Sequence, residues 1–229
     1  MTDSAPPPAG SASALLLGAT GLVGGHVLDL LLDDPAYGRV VVLGRRSIDR
    51  RHPRLRQHVA DLGRLDEHAA LFAVDDVFCC LGTTIRAAGS EEAFRRVDHD
   101  FVVGSARVAA AAGARRYLLV TAAGANAHSR IFYNRVKGQA EAGVRAQPFE
   151  GVVILRPSLI LGPRAERRTS EALAQRVAPA LGWMMIGPLR RYRAVDAAAV
   201  ARAMVRAAKE RTRGVRIVES EEIQELGGA

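Results

Sequence analysis

The sequence ALLLGATGLVGGHVLDLLL, from Ala14 to Leu32, decides the fold. Its first four residues form an apolar run without a polar break, which is typical of a strand buried on both faces of a parallel sheet. After the glycines, apolar residues recur at helical spacing. The stretch therefore predicts a strand, a glycine turn and a helix in immediate succession.

Three glycines, Gly18, Gly21 and Gly24, separate the predicted strand from the predicted helix. The first permits a tight turn, the second leaves the backbone open to a pyrophosphate, and the third lets the helix pack closely against the sheet. A helix N-terminus favours phosphate through its free N–H groups and its dipole. This arrangement indicates a dinucleotide site rather than a purely structural turn. The predicted contacts here are Gly18, Thr20, Gly21, Leu22, Val23 and Gly24.

Further strand-like and helical patterns alternate along the chain. Strand-like runs lie at 40–43, 57–60, 77–81, 117–121, 152–155 and 215–218, and helical patterns lie at 64–72, 90–113, 131–146, 171–181 and 195–209. Such alternation indicates an α/β fold with a Rossmann-type, doubly wound parallel sheet and a ligand crevice at the carboxyl ends of the strands. We expect a flexible leader at 1–13 and a single domain over 14–229, with a short C-terminal extension at 163–229 closing the substrate side.

Composition narrows the class of protein. The 229 residues include no basic, apolar signal sequence and no apolar run near the ~20 residues of a membrane span. Cys79 and Cys80 are adjacent in an apolar run, so we interpret them as buried side chains rather than as a disulfide or a metal site. We therefore expect a cytoplasmic protein without a membrane partner or a metal ion.

The net charge of +8 raises the question of nucleic-acid binding. The arginines are spread along the chain, and no aromatic residues are interleaved with the denser stretch at 45–56. A stacking platform for bases is therefore missing from the pattern. We interpret the arginines as a solvated basic surface and expect no nucleic-acid partner, with nucleic-acid binding kept as a minor alternative.

The end of the second strand bears on the choice of cofactor. In NAD-binding folds an acidic residue about 20 positions past the glycines holds the ribose hydroxyls. Here the strand ends in Gly44, Arg45 and Arg46, without an acid. Because a guanidinium suits a phosphate, these two arginines predict a preference for NADP(H), with NAD(H) as the alternative. Asp61 and Leu62, after the third strand, are candidate contacts to the adenine.

Tyr133 and Lys137 are four residues apart on a predicted helix and so share one face. A nearby ammonium favours the phenolate of a tyrosine, which can then exchange a proton with a carbonyl or alcohol oxygen. This spacing is common by chance, and a surface pair is the alternative. However, Lys137 is one of only two lysines among 32 basic residues, which suggests that arginine would not serve at this position.

The chain resembles the atypical, extended-type short-chain dehydrogenase/reductases, and within them the Tat-interacting-protein-like oxidoreductases. The resemblance rests on GATGLVGG, VVLGRR, CCLGTT, YNRVK and RPSLILGP and spans about residues 15–200. It implies an NADP(H) site on a Rossmann sheet, with Tyr133 as the acid–base residue and Lys137 as its partner, also at the cofactor. Further cofactor contacts that it implies are Leu81, Gly82, Thr83, Pro157 and Ile160.

The chain departs from that family at one functional position. The family's serine at the end of the fifth strand matches Ala122, with Thr121 beside it. Consecutive strand residues point to opposite faces, so Thr121 replaces the serine only if the strand end twists or bulges. We keep Thr121 as the third candidate catalytic residue, with Ser129 and Asn126 in the following loop as alternatives.

Two functional hypotheses follow from these patterns. The first is an NADP(H)-dependent oxidoreductase that transfers a hydride to or from a small-molecule carbonyl or alcohol. The second is an NADP(H)-binding regulatory or redox-sensing protein with little or no catalysis and with a protein partner. The retained tyrosine and lysine favour the first hypothesis, whereas the missing serine favours the second.

Overall fold

The structure is a computed structural model that describes residues 12–162 and 194–228. The strands in these ranges are β1 (Ala12–Leu17), β2 (Tyr37–Gly44), β3 (Leu55–Val59), β4 (Asp76–Cys79), β5 (Arg116–Val120), β6 (Gly151–Arg156), β7 (Ile160–Leu161), β8 (Val195–Asp196) and β9 (Gly214–Glu219). Seven of them form one sheet in the order β3-β2-β1-β4-β5-β6-β9, and every neighbouring pair is parallel. The strands β7 and β8 pair with each other.

Helices cover the two faces of this sheet. The helices are α1 (Leu22–Asp33), α2 (Ile85–Ala88), α3 (Glu91–Arg95), α4 (Phe101–Ala111), α5 (Phe132–Arg145), α6 (Ala197–Lys209) and α7 (Ser220–Gly227), with a 3₁₀ segment at Leu62–Phe72 and a π-helical turn at Arg96–Asp100. One apolar cluster joins the sheet to α1, α6 and α7, and the other joins it to the 3₁₀ segment, α4 and α5. The predicted doubly wound parallel sheet is confirmed.

The first strand lies at the centre of the sheet, as its apolar run predicts. Leu16 packs into the cluster with α1, whereas Leu15 and Leu17 pack into the cluster on the opposite face. All three side chains are fully buried. Burying a leucine contributes about 1.5–3 kcal/mol, so this strand anchors both layers.

Several boundaries differ from the sequence-based expectation. The strand β1 begins at Ala12, because its N–H donates to the carbonyl oxygen of Ala36 at 2.8 Å, so the last two residues of the predicted leader belong to the sheet. The strand β3 begins at Leu55, two residues before the predicted run. Backbone pairing continues wherever a neighbouring strand offers partners, whatever the side-chain pattern.

Two predicted helices are less regular than their patterns suggest. The segment at 64–72 is 3₁₀-helical, with non-helical backbone angles at Arg64 and His68. The helix expected from Glu91 is divided into α3, the π-helical turn and α4. The helical pattern at 171–181 lies outside the described residues.

None of the helices in the described ranges combines the length and the apolar character that crossing a bilayer requires. Within the same ranges, no group of three or more His, Cys, Asp or Glu side chains comes together in a way that could hold a metal ion.

Candidate active site

The glycine turn brings the end of β1, the start of α1 and the loop after β4 into direct contact. Gly18 has a φ of +84°, and a Cβ added there would lie 2.4 Å from the carbonyl oxygen of Cys80. A Cβ on Gly24 would lie 2.1 Å from the carbonyl oxygen of Gly18, so the helix rests on the turn itself. No side chain larger than hydrogen fits at either position.

The N-terminus of α1 opens into this turn. Gly21 is the N-cap residue, no side chain caps the helix, and the first turn contains no acidic residue. The predicted contacts Leu22, Val23 and Gly24 form that first turn. Free N–H groups and the positive end of the helix dipole therefore face the loop, which is the usual environment of a bound phosphate.

A groove runs from the glycine turn along the carboxyl ends of β1, β2 and β4. It encloses about 690 Å³, counting the part that is open to solvent. Eight of the predicted cofactor contacts line it, namely Gly18, Thr20, Gly21, Arg45, Arg46, Leu62, Leu81 and Gly82. Residues that the sequence analysis did not propose complete the lining: Ala19, Val42, Gly44, Cys80, Val97 and Phe101. The structure thus gathers half of the predicted cofactor contacts in the lining of one groove.

The two arginines after β2 lie at the mouth of this groove. Arg45 and Arg46 are exposed, and neither makes an ion pair with a residue in the described part of the chain. The side chain of Asp61 accepts the N–H of Gly63 and caps the 3₁₀ segment, while its contact with adenine stays a prediction. Its neighbour Leu62 is the residue that lines the groove.

Tyr133 and Lys137 lie on the same face of α5, as their spacing predicts. The Nζ of Lys137 is 6.0 Å from the centre of the Tyr133 ring, and the Lys137 side chain is 7% exposed. The Tyr133 ring also packs against Phe94 of α3, with ring centres 5.4 Å apart. The tyrosine is therefore held between an aromatic ring and an ammonium group.

Asp98, in the π-helical turn, is a site residue that the sequence analysis missed. Its Oδ1 lies 2.7 Å from Nζ of Lys137, and its Oδ2 accepts the N–H of Thr83 at 2.9 Å. The signal was a carboxylate four residues from Phe94 and four from Val102, within the apolar stripe of a predicted helix. An ionised side chain on a buried face requires a partner, and this one pairs with Lys137.

The ion pair lies beside the groove. A Cβ added to Gly82 would lie 3.4 Å from Oδ1 of Asp98 and 3.6 Å from Nζ of Lys137. Gly82 itself lines the groove. The loop after β4 therefore connects the predicted nucleotide contacts to the predicted catalytic pair.

Burial and attraction act on both members of this ion pair. Burial acts to lower the pKa of Lys137, but the Asp98 carboxylate, Tyr133 and Cys79 together outweigh it, so the pKa of Lys137 is raised. Burial raises the pKa of Asp98, although the Lys137 ammonium opposes that rise. The surroundings of Lys137 therefore favour its ammonium form.

The hydroxyl of Thr121, the third candidate catalytic residue, is hydrogen-bonded inside the protein. Its Oγ1 donates to the Glu141 carboxylate at 2.7 Å, and its side chain is buried. Arg156 in turn holds Glu141 through two hydrogen bonds, of 2.9 and 2.6 Å. The Thr121 hydroxyl is thus committed to a buried network, and Ala122, at the position of the serine, offers no hydroxyl.

The alternatives in the following loop are also engaged locally. The Oγ of Ser129 accepts the N–H of Ile131 at 3.1 Å, and Oδ1 of Asn126 accepts the N–H of His128 at 2.9 Å. Both are short-range turn contacts of the kind that Ser and Asn commonly make. They hold the loop in shape before α5 begins.

The last two predicted contacts follow β6. The carbonyl oxygen of Pro157 accepts the N–H of Ala123 at 2.8 Å, which joins the ends of β5 and β6. Ile160 lies in β7, paired with Val195 of β8. The next turn reaches α1, because a Cβ on Gly162 would lie 2.9 Å from Leu22. Neither Pro157 nor Ile160 lines the groove.

These features define a class of protein. Residues 18–211 match the family described as NAD(P)H-binding, and the chain belongs to that family. The match covers the glycine turn, Arg45 and Arg46, Tyr133 and Lys137, and all of α6.

Particular relatives are similar over most of their length. The rat (Rattus norvegicus) protein HTATIP2 is 38% identical over 168 residues, which cover 72% of this chain and 69% of that protein. The mitochondrial protein fmp52-1 of Aspergillus terreus is 37% identical over 95% of this chain and 96% of its own length. The resemblance to the Tat-interacting-protein-like group is confirmed.

Solved structures share the fold at low sequence identity. The Bordetella bronchiseptica enzyme WbmH, solved with NAD+, has a TM-score of 0.68 at 17% identity, covering 95% of this chain and 79% of its own. MoeE5, solved with UDP-glucose and NAD, has a TM-score of 0.68 at 18% identity, covering 94% and 81%. At such low sequence identity, the similarity to these structures shows a shared fold.

The comparisons overturn the expected location. The fmp52 relatives from Emericella nidulans and from three Aspergillus species are named as mitochondrial, so the prediction of a cytoplasmic protein is wrong. That prediction rested on the lack of a secretory signal and of a membrane span, and neither feature distinguishes the cytoplasm from an organelle.

Proposed function

We propose that this chain is an NADP(H)-dependent oxidoreductase of the short-chain dehydrogenase/reductase type, acting on the carbonyl or alcohol group of a small molecule. The observation that carries the proposal is the buried ammonium of Lys137 beside Tyr133, next to a loop glycine that lines the nucleotide groove. A retained acid–base pair at the edge of a cofactor groove is difficult to explain without chemistry.

The residues of the groove fit a dinucleotide. The turn at Gly18 and Gly24 has no room for side chains, and the first turn of α1 leaves its N–H groups open for a pyrophosphate. Arg45 and Arg46, exposed at the mouth, would hold a 2′-phosphate, which supports NADP(H) over NAD(H). Lys137, beside Gly82, would hold the ribose of the nicotinamide.

Each group then has a defined part in carbonyl reduction. When bound, NADPH supplies a hydride to the carbonyl carbon. Tyr133 donates its hydroxyl proton to the carbonyl oxygen, which becomes the alcohol, and the Lys137 ammonium stabilises the phenolate left behind. Thr121 takes no part in this step, because its hydroxyl is held by Glu141.

The first experiment follows thermal unfolding with NADPH and with NADH. A ligand at about 100 times its Kd adds about 2.7 kcal/mol to the free energy of unfolding, which shifts the Tm by several degrees. We expect a clear rise with NADPH and a smaller rise with NADH. Equal rises would contradict the NADP(H) preference, and no rise with either would contradict the cofactor assignment.

The second experiment tests the chemistry through Tyr133→Phe. In a panel of aldehydes and ketones we expect the variant to oxidise NADPH at least about 100-fold more slowly than the wild type, because the proton donor is lost. The rise in Tm with NADPH should be unchanged, which shows that the variant is folded and binds cofactor. Equal rates in the two proteins would rule out Tyr133 as the acid.

A second candidate function has its own observation. The Thr121 hydroxyl is committed to Glu141, and Ala122 occupies the position of the family's serine. This arrangement supports an NADP(H)-binding regulatory protein that senses the nucleotide and presents it to a protein partner. Stabilisation by NADPH without oxidation by any carbonyl, and capture of a partner only when NADPH is present, would favour this candidate over the enzyme.

A further inference from the structure

Asp98 lies in a buried part of the site, where removing a charged side chain from water is unfavourable. Its side chain is fully buried, and the Lys137 side chain opposite is 7% exposed. Their 2.7 Å contact is therefore shielded from water and little screened by salt. Two buried charges at this distance depend on each other, because either one alone would be uncompensated.

The second oxygen of Asp98 fixes the pair to the nucleotide groove. It accepts the N–H of Thr83 at 2.9 Å, directly after Gly82. One carboxylate thus binds the lysine through one oxygen and the loop after β4 through the other. A displacement of Asp98 would move the lysine relative to the loop that lines the groove.

The backbone directs Asp98 towards this point. Arg96–Asp100 form a π-helical turn between α3 and α4. Such turns accommodate an extra residue, shift the helical register and are frequent at functional sites. Here the turn carries an acidic residue inward, while the neighbouring Asp100 remains exposed.

Within the described residues, three titratable groups act electrostatically on the Lys137 ammonium from the elements around it. They are Asp98 of the π-helical turn, Tyr133 of its own helix and Cys79 of β4. Burial favours the neutral amine. Among these three groups, the carboxylate is the one that carries a full negative charge when the tyrosine and the thiol are protonated.

We infer that Asp98 is a positioning residue that keeps Lys137 charged and holds its ammonium between Tyr133 and the loop at Gly82. The role of Asp98 in the reaction rests on the proposed function, whereas its effect on the charge of Lys137 does not. The amide of Asp98→Asn would occupy a similar volume without the charge. The charge state of Lys137 is therefore the direct readout.

The composition of the chain makes that readout simple. It contains two lysines, Lys137 and Lys209, so protein labelled with ¹³C at lysine Cε gives two side-chain signals. Lys209→Arg removes one of them and assigns the other. In the wild type we expect Lys137 to titrate above a reference lysine peptide measured alongside. A lower midpoint would overturn the inference without any Asp98 variant.

The variants then test the cause. In Asp98→Asn we expect the titration midpoint of Lys137 to fall by at least about one pH unit, because an adjacent opposite charge shifts a pKa by about 1–3 units. Asp100→Asn, which removes an exposed carboxylate from the same turn, is the matched control and should leave the midpoint unchanged. An unchanged midpoint in Asp98→Asn, or an equal fall in Asp100→Asn, would overturn the inference.

These measurements need no substrate. If no carbonyl is reduced but the Lys137 midpoint falls only in Asp98→Asn, the proposed reaction fails and the role of Asp98 in holding the ammonium stands. If carbonyls are reduced but the midpoint does not move, the reaction stands and Asp98 has no such role. The two failures are thus distinguishable.

Discussion

The space around the Lys137 side chain explains why lysine, rather than arginine, occupies this position. Its ammonium lies in a space bounded by the Asp98 carboxylate and by the backbone at Gly82, where a Cβ would be 3.6 Å away. A compact ammonium fits such a space, whereas a planar guanidinium is larger and presents its donors as a fork. This agrees with the prediction, made from the scarcity of lysine, that arginine would not serve here.

The exposed arginines at the groove mouth allow a sharp test of cofactor preference. We expect Arg45→Ala or Arg46→Ala, whichever removes the contact, to weaken NADPH binding by about 10- to 100-fold, because a hydrogen bond to a charged group contributes about 1.5–3 kcal/mol. NADH lacks the 2′-phosphate, so its affinity should change much less. Titration of each variant with both nucleotides provides the measurement.

Arg51→Ala is the matched control for these variants. Arg51 is also exposed and belongs to the same basic stretch, but it does not line the groove. If Arg51→Ala weakened NADPH binding as strongly as Arg45→Ala and Arg46→Ala, the effect would reflect the general positive charge of this surface. A specific phosphate contact would then be contradicted.

At the scale of elements, the contact between the glycine turn and α1 decides whether the groove exists. In Gly24→Ala the added Cβ would meet the carbonyl oxygen of Gly18 at 2.1 Å, so the helix has to move away from the turn. We expect a loss of about 1–3 kcal/mol in the free energy of unfolding, as for other overpacked sites, and loss of the rise in Tm with NADPH. Denaturant unfolding and thermal shift measure the two effects.

The neighbouring glycine provides the control. A Cβ on Gly25 would lie 3.7 Å from the nearest atom outside its own turn, an ordinary contact distance. Because alanine favours a helix over glycine by about 1 kcal/mol, Gly25→Ala should be neutral or stabilising, with NADPH binding retained. Equal destabilisation by the two substitutions would show that the close approach at Gly24 is not the cause.

At the scale of the whole molecule, α1 and α6 are joined at their C-terminal ends by an ion pair. Nζ of Lys209 lies 2.5 Å from Oδ2 of Asp34, which follows α1 directly. Burial acts to raise the pKa of Asp34, but the hydrogen bond from Lys209 and further contacts outweigh it, so the pKa is lowered. A lowered carboxyl pKa stabilises the folded state above the pKa of the unfolded chain, and this stabilisation is lost as the pH falls.

The corresponding prediction concerns Asp34→Asn. We expect the variant to unfold at a lower temperature than the wild type at pH 7, and the difference to shrink as the pH falls below the pKa of about 3.9 of an unfolded-state aspartate and then through the lower folded-state pKa. Thermal unfolding across this range gives the measurement. Asp29→Asn, which removes a half-exposed partner of Arg50, should have little effect, because exposed ion pairs contribute about 0–1 kcal/mol. A difference that persisted at low pH would contradict the linkage to this carboxyl.

The sequence by itself determined the parts of this protein that depend on neighbouring residues. The apolar run before Gly18 predicted a central strand, and the glycine spacing predicted the turn and the start of α1. The spacing of Tyr133 and Lys137 placed them on one helix face. In each case the physical cause acts within one turn or one strand, so the order of residues is sufficient.

Only the tertiary structure decided which distant groups meet. Asp98 and Lys137 are 39 positions apart, and their contact depends on how the π-helical turn passes α5. The hydroxyl of Thr121 is likewise turned to Glu141, which no local pattern predicts. A buried charge or hydroxyl must find a partner, but the packing of whole elements selects which partner is within reach.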